Sequence, residues 1–253
     1  MQPMLRSASQ MAAELARLAA PRCGPQAPAC HRALLGSTHT PVSTATARFC
    51  QSQRAKDYAL PNASWSQEMV TQFNKYMEMS KDGTWKRLPS YRNILEHLPE
   101  RMRPEHKKMM NRDTRIFLRN VDEEGKGFEY VMFLNPKEKR MVCLFQPGSY
   151  LEGPPGFTHG GSIATILDCT LGGSGTFFAG KVMTANLNVN YKNPVPLGSV
   201  VLVESKIDRV EGKKVFISGQ VRSIDGETLY AEATGLFIQI VSQKISQQPE
   251  SSK

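Results

Sequence analysis

One helix-periodic segment lies between two blocks of strand-like sequence, and it limits the folds open to this chain. Residues 151–180 hold 8 of the 19 glycines, and apolar side chains recur there at the i, i+3, i+4, i+7 and i+8 spacing of a helix. These positions are Ile163, Ile166, Leu167, Thr170 (through its methyl group) and Leu171. Another side of the same helix carries small residues and one acid, namely Gly161, Ala164, Thr165, Asp168 and Gly172. The pattern predicts a helix that packs on a sheet by one side and admits a second helix on another.

Strand-like sequence flanks this segment on both sides. Before it, period-two alternation predicts strands at residues 115–121, 128–134 and 140–145. After it come four more strand-like runs, with turn signals at Glu211-Gly212 and Asp225-Gly226. An antiparallel sheet wrapped around one central helix is a hot-dog fold. We therefore expect an α+β chain with a single hot-dog domain over residues 113–243 and a flexible tail over residues 244–253.

Residues 51–112 are more polar and predict an N-terminal helical extension to this domain. Apolar side chains recur at helical spacing at Met69, Phe73, Tyr76 and Met77. Ser64 is the expected N-cap of that helix. A second, shorter helix is expected around residues 91–98. Neither helix carries a chemical motif, so both are expected to pack over the rest of the domain.

The first 50 residues have the composition of a mitochondrial transit peptide. They hold five Arg, no Lys and a single acid, Glu14, and they are rich in Ala, Ser and Thr. Residues 4–20 can form an amphipathic helix, and Arg48-Phe49-Cys50 resembles a matrix-peptidase site. We expect import into the mitochondrial matrix with cleavage near residue 50. The alternative is a disordered basic tail.

Charge and cysteine content narrow the function classes. The formal net charge is +9, and removal of residues 1–50, with five Arg and one Glu, leaves +5, which suits a polyanionic ligand. The five cysteines form no C-x-x-C pair and have no histidine at zinc spacing, so neither a disulfide framework nor a zinc site is expected. The dispersed Lys and Arg match no nucleic-acid-binding module. Without an apolar run of roughly 20 residues, any membrane association is expected to be peripheral at most.

Several motifs carry a resemblance to a known family. His159-Gly160-Gly161, followed by Asp168 seven residues after the second glycine, resembles the hot-dog acyl-coenzyme A thioesterases. The strings Phe-Glu-Tyr-Val-Met-Phe (128–133), Arg-Met-Val-Cys-Leu-Phe-Gln (140–146) and Met-Thr-Ala-Asn-Leu-Asn (183–188) resemble the mitochondrial pair called thioesterase superfamily members 4 and 5. The resemblance covers nearly all of the chain after residue 50. It implies hydrolysis of medium- to long-chain fatty acyl-CoA by a homodimer. No metal and no resident cofactor is expected, since coenzyme A is part of the substrate.

The start of the predicted helix and its acid suit thioester hydrolysis. Gly160 and Gly161 open the helix, where backbone N–H groups lack intrahelical partners and the dipole places about half a positive charge. A thioester oxygen can approach them without a Cβ in the way as it gains negative charge. Thr158 is the expected N-cap, and His159 is expected to orient the helix start rather than act as a base. Asp168 supplies a carboxylate that either attacks the carbonyl or removes a proton from water.

The spacing along this helix predicts a site shared by two chains. Asp168 lies seven residues beyond Gly161, about 10 Å along the helix, so one helix cannot serve one carbonyl with both. An antiparallel partner helix brings its own Asp168 opposite. We therefore expect a dimer with two equivalent sites, and further pairing into a tetramer stays open.

The strand after the helix alternates without exception. Its odd positions are expected to pack on the core, and its even positions, Thr184, Asn190 and Lys192 among them, are expected to face water or a ligand. The family resemblance implies that Thr184 assists the acid and that Asn190 and Lys192 contact coenzyme A. It also implies that Lys213 and Lys214, in the turn after Gly212, bind the nucleotide phosphates.

Two other function classes remain open. Hydration of enoyl thioesters on this fold also uses an Asp and a His, but with the acid before the histidine, whereas here the order is reversed. A non-catalytic hot-dog dimer that binds an acidic protein or an anionic lipid surface is the alternative to an enzyme. The presence of Gly160, Gly161, Asp168 and Thr184 together argues against it.

Overall fold

The computed structural model describes residues 55–97 and 114–240. In chain order the elements are α1 (Gln67–Met79), β1 (Lys86–Leu88), β2 (Phe128–Asn135), β3 (Arg140–Pro147), α2 (Gly160–Ala179), β4 (Val182–Tyr191), β5 (Val201–Glu211), β6 (Lys214–Ser223) and β7 (Leu229–Gln239). No helix within these two ranges is long and apolar enough to cross a lipid bilayer. The predicted transit segment (1–50) and the predicted tail (244–253) lie outside the described residues, and so do residues 51–54 and 98–112 of the predicted extension.

The seven strands form one antiparallel sheet in the order β1-β2-β3-β5-β6-β7-β4. The strand that follows α2 directly, β4, lies at one edge of this sheet, and among the described strands it pairs only with β7. The expected α+β fold is confirmed: one central helix packs against an antiparallel sheet, and a further helix comes before it. The strands β2, β3 and β4 lie where they were predicted, and β5, β6 and β7 are the other three strand-like runs expected after α2.

The apolar side of α2 packs on one face of the sheet. All five residues that the helical spacing selected are buried, namely Ile163, Ile166, Leu167, Thr170 and Leu171. The four aliphatic residues among them join one apolar cluster with side chains from the sheet such as Phe145, Val203, Ile217 and Phe237. Burial of each large aliphatic side chain contributes about 1.5–3 kcal/mol, so this contact holds α2 in one rotation about its axis. The small-residue side is left partly exposed.

The opposite face of the sheet is covered at its β1-β2-β3 end by α1. Met69 and Phe73 are buried there against Phe133 and Leu144. The N-cap of α1 is Ser66, whose hydroxyl accepts a hydrogen bond from the Met69 N–H at 3.2 Å, so the prediction of Ser64 as the cap was wrong. The reason is long-range, since the side chain of Gln146 on β3 accepts from the Ser66 N–H and donates to the Ser64 carbonyl.

Two predicted elements before β2 are different in the structure. Residues 91–98 were expected to be a helix, and the described part forms only a 3₁₀ turn, Ile94–His97. Residues 115–121 were expected to be a strand, but Phe117–Arg119 is a 3₁₀ turn. The short strand β1 was not predicted. It covers β2 only at residues 132–134, so the edge at residues 128–130 is left without a strand partner.

The buried guanidinium of Arg119 takes the place of that missing partner. Its side chain is 5% exposed and donates to the carbonyls of Phe128 and Tyr130 at 3.1 and 3.0 Å. A third hydrogen bond runs from Arg119 to the Ser90 hydroxyl. A side chain therefore satisfies backbone acceptors that a strand at 115–121 would have satisfied.

A β-bulge at Ala185 overturns the predicted parity of β4. The register with β7 shifts between Thr184 and Asn186. Before the bulge, Val182 packs on the core that α2 covers and Met183 is 63% exposed; after it, Leu187 and Val189 pack on that core. The expectation that every odd position faces the core was therefore wrong, and so was the expectation that Thr184 shares a face with Asn190.

The packing of α1 predicts a contrast between two methionines of the same helix. Met69→Ala removes a side chain that is 0% exposed and should lower the free energy of unfolding by about 2–5 kcal/mol. Met77→Ala removes one that is 37% exposed and should change it by less than about 0.5 kcal/mol. Urea denaturation followed by circular dichroism measures both. Equal effects of the two substitutions would contradict the described packing of α1.

Candidate active site

The first turn of α2 is capped by a histidine. His159 has extended backbone angles (φ −61°, ψ 135°), and its Nδ1 accepts a hydrogen bond from the Gly161 N–H at 2.9 Å. The prediction of Thr158 as the cap was therefore wrong. Thr158 is buried, its N–H donates to the Val195 carbonyl, and its hydroxyl meets no partner among the described residues. The imidazole nitrogen performs the task that an Asn or Asp oxygen performs at most helix starts.

Because of this cap, the backbone N–H groups of the two glycines of the motif differ in their hydrogen bonding. The Gly161 N–H is occupied by His159 Nδ1, whereas the Gly160 N–H meets no acceptor within the described ranges. Gly160 is only partly buried. Its N–H also lies at the positive end of the helix dipole. Of the two predicted oxyanion donors, Gly160 is the one whose N–H is free to donate to a substrate oxygen, a distinction that spacing alone did not reveal.

The predicted acid and the predicted threonine are brought together. The Thr184 hydroxyl donates a hydrogen bond to Oδ1 of Asp168 at 2.8 Å. The bulge in β4 makes this contact possible, because it turns Thr184 toward α2 while the later residues keep their apolar side chains on the core. The contact orients the carboxylate, whose second oxygen meets no hydrogen-bond donor among the described residues.

An open cleft of about 460 Å³ begins at Asp168. It is lined by Asp168, Cys169, Gly172, Gly173, Thr176, Val182, Met183, Thr184 and Phe237. Two glycines of the lining allow close packing: a Cβ on Gly172 would lie 3.4 Å from the Phe237 ring, and a Cβ on Gly173 would lie 3.2 Å from the sulfur of Met141. The cleft therefore combines one carboxylate with mostly apolar and small walls.

The thiol beside the acid is not an activated nucleophile. Burial, and secondarily the Asp168 carboxylate, raise the pKa of Cys169 to about 12. Burial raises the pKa of Cys143 as well. Both thiols therefore stay protonated at neutral pH, and a thiol reacts poorly compared with a thiolate. This supports the interpretation of Cys169 as a packing residue.

The predicted catalytic residues fall into two groups, one at the start of α2 and one near its middle. The helix-start group contains His159, Gly160 and Gly161. The acid group contains Asp168 and Thr184, which are joined by a hydrogen bond. Gly160 and Asp168 are eight residues apart on one helix, about 12 Å. Thioester hydrolysis needs both an N–H donor for the oxyanion, which the helix-start group holds, and a carboxylate, which the acid group holds.

The sheet separates the predicted coenzyme A contacts in the same way. Lys214 pairs with Ile238 on β7, and Asn190 pairs with Glu232 on the same strand. Six residues of β-strand separate those two positions, about 20 Å. Ile238 also pairs with Met183, so Lys214 lies two strands away from the residue beside Thr184 and far from Asn190 within one chain.

The surroundings of the four predicted coenzyme A contacts differ. Asn190 lines a polar groove with Glu204 and Glu232, on the sheet face opposite α2, and Lys192 forms an ion pair with Glu232 at 2.9 Å. Lys213 and Lys214 are exposed in the β5–β6 turn and form no ion pair with a residue in the described ranges. The two turn lysines are thus the freer cations. Among the described residues, no group of three or more His, Cys, Asp or Glu side chains could hold a metal ion.

Comparison with known proteins identifies relatives over most of the chain. The family model described as Thioesterase superfamily matches residues 155–230, a range that contains both α2 and β4. Acyl-coenzyme A thioesterase THEM4 of Xenopus laevis is 53% identical over 200 residues, 79% of this chain and 88% of that protein. Acyl-coenzyme A thioesterase THEM5 of Homo sapiens is 42% identical over 196 residues, 76% of this chain and 79% of that protein. A crystal structure of a thioesterase superfamily protein, 22% identical, covers 68% of this chain and 92% of its own with a TM-score of 0.41.

Proposed function

The chain belongs to the family of acyl-coenzyme A thioesterases that includes THEM4 and THEM5, and from this premise we propose that it hydrolyses medium- to long-chain fatty acyl-CoA to free fatty acid and coenzyme A. The observation that carries the proposal is the hydrogen bond from Thr184 to Asp168. It holds a carboxylate in an open cleft on a helix whose first N–H has no acceptor among the described residues. A non-catalytic binding module does not require a carboxylate that is oriented in this way.

The chemistry divides between two groups. The Gly160 N–H donates to the thioester oxygen as negative charge develops on it, assisted by the dipole of α2. Asp168 either attacks the carbonyl carbon directly or takes a proton from the attacking water. In both routes the thiolate of coenzyme A leaves when the C–S bond breaks. Thr184 orients the carboxylate by donating to Oδ1, and His159 holds the helix start by accepting from Gly161.

Each active site is built from two chains of a homodimer. Gly160 and Asp168 of one chain lie about 12 Å apart along α2, too far to act on one carbonyl carbon. An antiparallel partner places the helix-start group of one chain beside the acid group of the other. The partly exposed small-residue side of α2 supports a close helix–helix approach, and the unpaired edge of β4 supports continuation of the sheet into the partner.

Coenzyme A spans the same two chains in this arrangement. Lys213 and Lys214 are exposed and form no ion pair with a residue in the described ranges, and they suit the nucleotide phosphates. Asn190 and Lys192 lie about 20 Å away along the sheet, so they contact the same coenzyme A only from the partner. Lys192 must then exchange Glu232 for a phosphate. The enzyme uses no metal and no cofactor beyond this substrate.

The cleft beside Asp168 receives the acyl chain. It extends along α2 from Asp168 to Thr176, about 12 Å, between Val182, Met183 and Phe237. Burial of one methylene group contributes about 0.8 kcal/mol, which corresponds to about a fourfold gain in kcat/KM. We therefore expect kcat/KM to rise with each added carbon until the chain outgrows the cleft, which favours medium and long chains.

The proposed function predicts the effect of a single acid substitution. Release of free coenzyme A thiol is measured for a series of esters from butanoyl-CoA to eicosanoyl-CoA, with the full chain and with Asp168→Asn. Asp168→Asn should lower kcat at least about a hundredfold, because it removes the base or nucleophile. The same series gives the acyl-chain preference.

Asp208→Asn is the matched control for this substitution. Asp208 also accepts a hydrogen bond from a hydroxyl, that of Ser218 at 2.8 Å, but it lies on the part of β5 away from α2. Its replacement should leave turnover within about twofold of the wild type. A wild-type protein that releases no thiol from any ester, or an Asp168→Asn protein that keeps full turnover, would refute the proposal.

We further propose that the enzyme acts in the mitochondrial matrix. The basic, Ser- and Thr-rich composition of residues 1–50 supports it. On incubation with isolated mitochondria, the full chain should become protected from added protease and acquire a new N-terminus near residue 50. Arg48→Asp should shift or block that cleavage. Import without any shortening, or no import at all, would overturn this localisation.

A further inference from the structure

The last residue of β4 makes a contact with the helix start that the mechanism above does not use. The Tyr191 hydroxyl donates a hydrogen bond to the Gly160 carbonyl at 2.8 Å. Its ring lies against the same residue, since a Cβ on Gly160 would be 3.6 Å from two ring carbons and from the hydroxyl oxygen of Tyr191. Tyr191 itself is anchored by its pairing with Ala231 on β7. The contact therefore ties the first turn of α2 to the sheet.

The peptide between Gly160 and Gly161 is held at both of its polar groups. Its carbonyl accepts from Tyr191, and its N–H donates to His159 Nδ1. Two successive glycines have the widest choice of backbone angles of any residue pair, and a first helical turn is where helices fray. These two side chains therefore remove freedom that the backbone alone would keep at this point.

We propose that Tyr191 is a positioning residue for the thioester oxygen, an inference that rests on the function proposed above. Its hydroxyl fixes the first turn of α2 so that the Gly160 N–H points at one place. A preorganised donor stabilises the developing oxyanion far better than one that must be reoriented during the reaction, and small misplacements of catalytic groups cost rate. Tyr191 does not contact the reacting atoms. It acts through the Gly160 backbone.

The contribution to folding is small by comparison. Without the phenol, the Gly160 carbonyl keeps its place in the regular i to i+4 hydrogen-bond pattern of α2. Tyr191 is 54% exposed, and its ring stays in place in Tyr191→Phe. Loss of the hydroxyl should therefore affect the chemical step and leave the stability of the fold almost unchanged.

Kinetic analysis of Tyr191→Phe tests the inference. We expect kcat to fall about tenfold, with KM within about twofold, because the substrate still binds while its transition state loses an aligned donor. The thermal midpoint should stay within about 2 °C of the wild type. Tyr150→Phe is the matched control: Tyr150 is also exposed, and its hydroxyl also makes one hydrogen bond, to Glu123 at 3.3 Å. It should change none of these quantities.

Infrared spectroscopy supplies a readout that a merely structural role would not move. A long-chain acyl-CoA labelled with ¹³C at the thioester carbonyl is bound to Asp168→Asn, where turnover is slow. Its carbonyl band should lie at lower frequency than in water, because the Gly160 N–H polarises the bond. Adding Tyr191→Phe should move the band back toward the water value and broaden it.

The outcomes separate this inference from the proposed function. The role of Tyr191 alone is overturned if Asp168→Asn abolishes turnover while Tyr191→Phe keeps the wild-type kcat and an unchanged carbonyl band. A fall in kcat also overturns it if the thermal midpoint falls by more than about 2 °C and the carbonyl band does not change. A wild-type protein without turnover overturns both.

Discussion

The burial of one side of α2 against the sheet decides the rest of this molecule. Five side chains, from Ile163 to Leu171, are removed from water on that side, so the helix cannot rotate about its axis without exposing them. Its start and its acid are consequently presented on the sides that the sheet leaves partly open. The rigid rise of the helix then keeps Gly160 and Asp168 about 12 Å apart. In the function proposed above, a second copy of the chain brings these two separated halves together.

Much of this architecture could be predicted from the sequence because it depends on local periodicity. A period of 3.6 residues predicted the buried side of α2, and a period of two predicted β2 to β7 except for the unforeseen bulge in β4. Predictions failed where distant side chains decide. The N-cap of α1 is Ser66 rather than Ser64 because Gln146, 80 residues from Ser66, holds the chain there. Residues 117–119 form a turn because Arg119 satisfies the carbonyls of β2.

The candidate site shows the same division. The motif and its spacing selected Asp168 as the candidate acid, the family resemblance added Thr184, and the structure joins the two by a hydrogen bond. The sequence could not tell that Gly160, and not Gly161, has the free N–H, because the difference depends on the side-chain conformation of His159. Nor could strict alternation reveal that Thr184 and Asn190 lie on different faces of the sheet. A bulge at Ala185 leaves no mark in the period-two pattern.

The central claim, that each site combines the donor of one chain with the acid of the other, predicts that two defective chains can restore each other. Gly160→Pro deletes the donor N–H while suiting the helix, because proline is favoured at the first helical position. His159 already has the extended backbone that precedes a proline. Gly160→Ala, which keeps the N–H, is the control for the added bulk.

The most direct measurement is therefore the activity of heterodimers purified through two different tags, one on Asp168→Asn and one on Gly160→Pro. Each homodimer should release coenzyme A thiol at least about a hundredfold more slowly than the wild type. The heterodimer should recover about half of the wild-type rate, because one of its two sites receives an intact donor and an intact acid. A heterodimer as inactive as its two parents would contradict the account and confine each site to a single chain.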